Sequence, residues 1–298
     1  FEYLYDMLDG KMEGMFVMGQ NPAVGAPNAR LQRTALAKLK WLVVRELVET
    51  ESATFWRESL EIERGELKTE EIETEIFFFP AAGHAEKEGA FTNTQRLLQW
   101  REKAVDPPGD CRSDAWFMHQ LALRLIAKAK ASNDPLDEPL RALDWWYPED
   151  ELGDPRMEAV LAEINGWNTN PVAGGPDPGA SGGIVLGNDR DGNPHHGPQV
   201  NGFAELKADG STACGCWIYS GVFGRDGVNK ANSRKSRDYL GHGWGFAWPS
   251  DRRIIYNRAS ARPDGRPWSE RKKLVWWDWD SDKWTGIDVA GFVQGKPP

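Results

Sequence analysis

The sequence predicts an α/β protein whose first third holds a Rossmann-like parallel sheet, followed by an irregular, tryptophan-rich segment. Three observations predict it. Short apolar runs alternate with a helical stripe early in the chain. Glycine and proline crowd the middle, with nine Gly and five Pro over 171–202. Eight of the 15 tryptophans lie between Trp217 and Trp284.

Met15-Phe16-Val17-Met18 is an apolar run ended by Gly19, which fits a buried strand. It feeds the polar turn Gln20-Asn21-Pro22. Asn28 then stands where a helix N-cap belongs, ahead of Leu31, Ala35, Leu36 and Leu39 at helical spacing. Trp41-Leu42-Val43-Val44 is the next buried strand. Strand, helix and strand in this order make a βαβ unit, which favours parallel pairing through a right-handed crossover. The acidic stretch 57–75 reads as an exposed insertion. Ile76-Phe77-Phe78-Phe79 is a third strand, stopped by Pro80. Residues 1–110 therefore read as part of an α/β domain.

Residues 111–166 read as helical. Trp116, Leu121, Leu125 and Ile126 mark one amphipathic helix, and Arg156–Asn165 a second, ended by Gly166. Between them Trp145-Trp146-Tyr147-Pro148 is an aromatic anchor. Residues 167–202 read as a long loop, because so much glycine and proline cannot build a core. The loop's His195-His196 pair has no carboxylate at helical spacing and reads as solvated. Residues 203–298 read as a Trp-rich irregular segment whose aromatic area packs against something larger.

Composition excludes several function classes. Across 298 residues, 36 basic against 45 acidic side chains leave a net charge of −9, which argues against a general nucleic-acid or anionic-membrane binder. No apolar run approaches the roughly 20 residues of a membrane span. Cys111, Cys214 and Cys216 include no C-x-x-C pair, so they read as packed thiols rather than a disulfide framework or a metal cluster. There is no G-x-S-x-G, H-E-x-x-H, P-loop or G-x-G-x-x-G. No residue is singled out as catalytic or metal-ligating. The chain opens on Phe1 without a methionine and reads as cut from something longer.

What remains is the outline of a nucleotide site. In parallel α/β sheets, ligands bind beyond the carboxyl ends of the strands. Three segments meet that description. Gly19-Gln20-Asn21-Pro22 follows the first strand, and its glycine allows close approach of a phosphate. Arg45-Glu46-Leu47-Val48-Glu49-Thr50 follows the second, with an acidic residue suited to a ribose hydroxyl or a guanine edge. Glu86–Arg96 follows the third, and as a loop it offers glycine, hydroxyls, an amide and one fixed cation.

These segments also carry a resemblance. Gly14-Met15-Phe16-Val17-Met18-Gly19-Gln20-Asn21-Pro22, Trp41-Leu42-Val43-Val44-Arg45-Glu46-Leu47, Thr50-Glu51-Ser52-Ala53 and the run Glu86-Lys87-Glu88-Gly89-Ala90-Phe91-Thr92-Asn93-Thr94-Gln95-Arg96 resemble the molybdopterin oxidoreductase superfamily. Cys214-Gly215-Cys216-Trp217-Ile218-Tyr219, Tyr256-Asn257-Arg258-Ala259-Ser260 and Arg266-Pro267-Trp268-Ser269-Glu270-Arg271 resemble the long insertion in large subunits of respiratory-type formate dehydrogenases. The resemblance implies a molybdopterin-dinucleotide-binding domain that holds one arm of a bis-molybdopterin guanine dinucleotide with Mo or W. It implies that Gly19, Gln20, Asn21 and Pro22 lie under the dinucleotide. Glu46 would contact guanine or ribose, where the family usually carries Asp, and Thr50 would offer a hydroxyl. Gly89, Phe91, Thr92 and Asn93 would close over the pterin side.

The resemblance further implies formate as substrate and an iron–sulfur electron-transfer subunit as partner, with no membrane span of its own. A [4Fe–4S] cluster, the metal ligand and the remaining parts of the large subunit would lie outside this chain, which on its own would be inactive. Respiratory relatives are exported by a twin-arginine signal, which suggests the periplasmic face. A molybdopterin oxidoreductase acting on nitrate or a sulfur oxide is the nearest alternative. A non-catalytic carbohydrate-binding module is the alternative from another class, and an exposed coplanar row of tryptophans would favour it.

Overall fold

A computed structural model describes residues 2–143, 145, 147–169, 198–224, 227–235, 244–249, 251 and 275–286. In chain order its elements are α1 (Glu2–Leu8), β1 (Gly14–Met18), α2 (Pro22–Gly25), α3 (Ala29–Leu36), β2 (Trp41–Glu46), α4 (Glu51–Thr54), α5 (Leu60–Glu63), β3 (Glu75–Pro80), β4 (Gly89–Thr92), β5 (Leu97–Arg101), α6 (Asp114–Lys130), α7 (Glu138–Ala142), α8 (Met157–Asn165), β6 (Trp167–Asn168), β7 (Thr212–Ala213), β8 (Phe246–Ala247), β9 (Val275–Asp278) and β10 (Lys283–Gly286). The chain divides into two compact units, residues 1–87 with 103–133 and residues 88–102 with 134–298.

The first unit is built on a parallel sheet in the order β1-β2-β3. Leu42, Val44 and Val17 on one face pack with Ala35, Leu36 and Leu39 of the α3 region and with Leu4 and Met7 of α1 into one buried core. The Asn28 side chain caps α3 by accepting from Leu31 N at 3.0 Å. Thr74 closes the helix's other end, its hydroxyl donating to the carbonyls of Leu36 and Leu39 at 3.0 and 2.8 Å. Gly14 is a steric requirement of this sheet: a Cβ there would stand 1.9 Å from Cε2 of the Trp41 ring. On the opposite face, Arg45 is buried within β2 rather than lying in the loop that follows it. Its Nη2 donates to the carbonyls of Arg112 and Ser113 at 2.8 and 3.2 Å, and its guanidinium lies over the Phe117 ring at 4.6 Å. The start of α6 is thereby tied to the sheet.

The acidic insertion is only partly exposed. Glu61 in α5 is buried because Arg33 of α3 grips it with two nitrogens.

In the second unit, β4 and β5 form an antiparallel hairpin, and β8 adds to β5 through Leu97↔Ala247 and Leu98↔Phe246. This corrects the expectation of a loop over 86–96: the turn is confined to 93–96. Asn93 makes it, its Oδ1 accepting from the backbone of Gln95 and Leu97. The predicted helix ended by Gly166 is present as α8. Its last side chain, Asn165, is fully buried and organises the neighbouring chain. Asn165 Nδ2 donates to Gln199 Oε1 and to the Val200 carbonyl at 3.0 Å each, and its Oδ1 accepts from Gly221 N at 2.7 Å and Phe223 N at 3.1 Å.

Tryptophan burial is mixed. Trp100 is buried, while Trp217, Trp244 and Trp279 are exposed. Trp217 instead packs edge-on against Phe203, and Arg234 covers one face of Trp244. Of the aromatic anchor, Trp145 meets Tyr147 edge-on, and Trp146 lies outside the described residues. So do the glycine- and proline-rich run over 171–197 with its His195-His196 pair, and the stretches Tyr256–Ser260 and Arg266–Arg271. Among the described residues no helix is long and apolar enough to cross a membrane.

Candidate functional site

Because β1 and β2 run parallel, their carboxyl ends fall on one edge of the first unit. Gly19 follows β1 at φ +63° and donates its N–H to the Arg45 carbonyl at 3.0 Å. That left-handed conformation suits glycine and costs other residues about 1–2 kcal/mol. A Cβ at Gly19 would meet nothing within 4 Å, so the space above it is open. Gln20 is exposed beside it.

Asn21 opens α2, and Pro22 occupies the helix's first turn, where its missing N–H costs nothing. The Asn21 amide joins this loop to α4. Its Oδ1 accepts from Ser52 N at 3.1 Å and Ser52 Oγ at 2.8 Å, and its Nδ2 donates to Glu51 Oε2 at 2.5 Å. The Glu51 backbone N–H and the Asn21 amide together hold the Glu51 carboxyl below its usual range. The side chain of Asn21 is thus engaged in fixing the loop.

Glu46 ends β2 half-buried, and its carboxylate accepts from Leu47 N at 3.2 Å. Thr50 stands at the N-cap of α4 but makes no capping bond. Its Oγ1 is buried and has no hydrogen-bond partner. A buried hydroxyl without a partner carries a desolvation penalty of about 1–3 kcal/mol, which a ligand could relieve. Gly19–Pro22, Glu46 and Thr50 therefore share one strand-end edge. A cavity of about 390 Å³ in the same unit is lined by Glu49, Trp56, Ile72 and Phe78 among others. None of the sequence-predicted site residues lines it.

The other predicted residues belong to the second unit. Gly89 is buried in β4, while Phe91, Thr92 and Asn93 are exposed at the hairpin tip. Burial, followed by the carboxylates of Glu102 and Glu158, pushes the nearby Glu88 carboxyl up.

Sequence reasoning did not single out Trp248 as a site residue. Its indole Nε1 donates to Thr92 Oγ1 at 2.6 Å across 156 positions of sequence, and no local pattern announces that contact.

Chemically, this is a set of binding groups. Among the described residues no cluster of His, Cys, Asp or Glu is placed to hold a metal ion. Cys111, Cys214 and Cys216 are free, half-buried thiols. Burial, and then the neighbouring Cys216, pushes the Cys214 thiol up, away from the thiolate that nucleophilic chemistry requires.

A carboxylate, an unpartnered hydroxyl and an open glycine thus stand together at the carboxyl ends of parallel strands, where ligands of α/β sheets bind. Residues 77–124 match the family described as Molybdopterin oxidoreductase. Its relatives include the formate dehydrogenase-O major subunit of Escherichia coli (strain K12), 34% identical over 300 residues. The nitrate-inducible formate dehydrogenase major subunit of the same organism is 33% identical over 299 residues. Each of these matches covers 99% of this chain and 28% of the relative. The formate dehydrogenase subunit alpha of Megalodesulfovibrio gigas is 34% identical over 289 residues, covering 94% of this chain and 26% of that relative. The chain thus spans between 26% and 28% of the length of these curated relatives.

Proposed function

We propose that this chain supplies part of the pterin-dinucleotide cradle of a formate dehydrogenase major subunit. The observation that carries the reading is the likeness to such subunits along 99% of the chain, the Trp-rich region included. The residues at the β1–β2 edge fit a dinucleotide arm of the cofactor. Gly19 leaves room for a phosphate against backbone, Glu46 offers an acceptor to a ribose hydroxyl or a guanine edge, and the unpartnered Thr50 hydroxyl offers a donor or acceptor. Gln20, Asn21 and Pro22 shape the loop beneath it. Gly89, Phe91, Thr92 and Asn93 present an exposed tip suited to covering the pterin side.

The bound group, a bis-molybdopterin guanine dinucleotide with Mo or W, supplies the oxidation of formate to carbon dioxide, and the protein contributes orientation and electrostatics. In this reading the chain's own residues bind and orient, and none is an acid, a base or a metal ligand. Electrons leave through iron–sulfur clusters, one of them a [4Fe–4S] cluster elsewhere in the large subunit, toward an iron–sulfur partner subunit. The chain alone is inactive.

The test is metal and pterin analysis of the natural polypeptide purified from its source, followed by formate-dependent reduction of a dye. Mo or W with pterin, and dye reduction that requires formate, is the expected result. A polypeptide carrying neither metal nor pterin refutes the reading. Reduction driven by nitrate-type chemistry in place of formate moves it to another member of the family.

A further inference from the structure

The tip of the β4–β5 hairpin is held from one side by aromatic residues, Trp248 above all. Trp248 makes four contacts with it or its support. Its indole Nε1 donates to Thr92 Oγ1 at 2.6 Å. Its ring lies 5.3 Å from the Arg96 guanidinium. Its backbone N donates to the Arg96 carbonyl at 2.9 Å. Its ring meets the Tyr219 ring in a T-shaped contact with centroids 5.8 Å apart. Arg96 itself sits at φ +61°, an unfavourable conformation for arginine, which these contacts help to impose.

The neighbouring chain works in the same sense. Phe246–Ala247 pairs with β5, Asn232 Nδ2 donates to Glu102 Oε1 at 3.0 Å, and Arg234 donates to the Trp100 carbonyl. Glu102 also receives the Trp100 indole at 3.1 Å. The hairpin that carries Phe91, Thr92 and Asn93 is therefore fixed by residues from the Trp-rich region.

We propose that Trp248 is a positioning residue for the cofactor-facing turn 92–96, setting the Thr92 hydroxyl and the Arg96 guanidinium where an anionic pterin ligand meets them. The inference rests on the reading of Phe91–Asn93 as cofactor-facing. The Arg96 cation has an aromatic partner and makes no ion pair among the described residues, so its charge is available to an anion. The Thr92 hydroxyl accepts from Trp248 and is also hydrogen-bonded with the Tyr219 side chain, so both aromatic residues fix its direction. Thr92 and Arg96 touch the ligand, and Trp248 acts through them.

The experiment uses the natural polypeptide loaded with its cofactor, with pterin occupancy read from the fluorescence of oxidised pterin after extensive dialysis. Trp248→Phe keeps an aromatic ring and removes the indole donor. One hydrogen bond of about 1 kcal/mol corresponds to roughly fivefold in occupancy, and that loss is expected. Thr92→Val should lose about as much, Thr92→Ser should restore it, and Trp248→Phe in the Thr92→Val background should add nothing. Phe223→Leu, a fully buried substitution in the same unit, should lower the thermal midpoint while leaving occupancy unchanged. Wild-type occupancy in Trp248→Phe, or losses that multiply in the double variant, overturns the positioning role while leaving the proposed function standing. A wild-type polypeptide without pterin overturns both.

Discussion

Arg33 grips Glu61 bidentately, Nε to Oε2 at 2.5 Å and Nη2 to Oε1 at 2.9 Å, with both side chains largely removed from water at 13% and 3% exposure. A third nitrogen of the same guanidinium donates to the Ala23 carbonyl at 2.6 Å. One side chain of α3 thus ties α5 to α2. Breaking one member of a buried pair strands the other, at about 3–5 kcal/mol. Glu61→Gln and Arg33→Met should each lose stability on that scale in urea denaturation. The double replacement Arg33→Met with Glu61→Leu should recover most of it, since no charge is then left buried. Additive losses in the double variant would show that the pair is not the cause.

The same pair sets an acid sensitivity. The Arg33 hydrogen bond holds the Glu61 carboxyl below its usual range. The folded pKa then lies below the unfolded value of about 4.3. The contribution is complete above that value and is lost as pH falls through the folded one. Glu61→Gln should therefore shallow the acid limb of the stability profile below about pH 4.3 and leave its slope near neutrality unchanged. An identical acid limb in the two proteins rules the linkage out.

Gly14→Ala tests the close approach of β1 to β2. The added methyl would stand 1.9 Å from the Trp41 ring, which is itself held edge-on by Phe16 at 5.3 Å. Overpacking of this kind costs about 1–3 kcal/mol. The urea midpoint should fall accordingly, and the cost should shrink when Trp41→Leu is introduced first. An equal cost in both backgrounds would mean that the ring is not the obstacle.

Where sequence and structure agree, the signal is local. The strands β1, β2 and β3 are apolar runs a few residues long, and α3 announces itself by Asn28 and by leucines at helical spacing. What was not legible depends on distant partners. Glu61 reads as one more acidic surface residue until Arg33, 28 positions away, is placed against it. Gly89–Thr92 carries too short and too mixed a pattern to declare a strand. Its hairpin is completed by Phe246–Ala247, far along the chain. At the candidate site, the strand-end rule put the segment Arg45–Thr50 at the sheet edge, and the resemblance singled out Glu46 and Thr50 within it. It could not show that the Asn21 side chain faces inward to Ser52 and Glu51, or that the Thr50 hydroxyl goes without a partner.

Asn165 is the corresponding keystone of the second unit. Its buried amide meets five partners: Nδ2 donates toward Gln199 Oε1 and the Val200 and Gly166 carbonyls, and Oδ1 accepts from two backbone N–H groups; Ser220 Oγ donates to the Asn165 backbone carbonyl at 2.6 Å. Asn165→Leu strands the N–H groups of Gly221 and Phe223 together with two acceptors, at about 1–3 kcal/mol for each group left unsatisfied. Asn165→Asp keeps the shape and the two acceptor contacts but turns the amide nitrogen into an oxygen facing Gln199 Oε1 and the Val200 carbonyl. Both variants should destabilise the unit by several kcal/mol, and Asp should be rescued in part by acid, which restores a donor. Urea titrations at two pH values decide it. An Asp variant that gains nothing at low pH argues that the donated bonds contribute little.

Thr50→Val separates folding from binding. Valine matches threonine in shape and lacks the hydroxyl. At most positions the exchange sacrifices a hydrogen bond, but Thr50 Oγ1 makes none within the described protein. Removing a buried, unsatisfied hydroxyl should leave stability unchanged or raise it by about 1 kcal/mol. If that hydroxyl waits for the dinucleotide, the same substitution should weaken retention of the pterin cofactor several-fold in the natural polypeptide. A purely structural residue cannot give opposite signs in the two measurements. Thermal melting of the unloaded protein and pterin occupancy of the loaded one supply the comparison. A stable variant that also holds its pterin normally would remove Thr50 from the site and leave Glu46 and Gly19 to carry that edge.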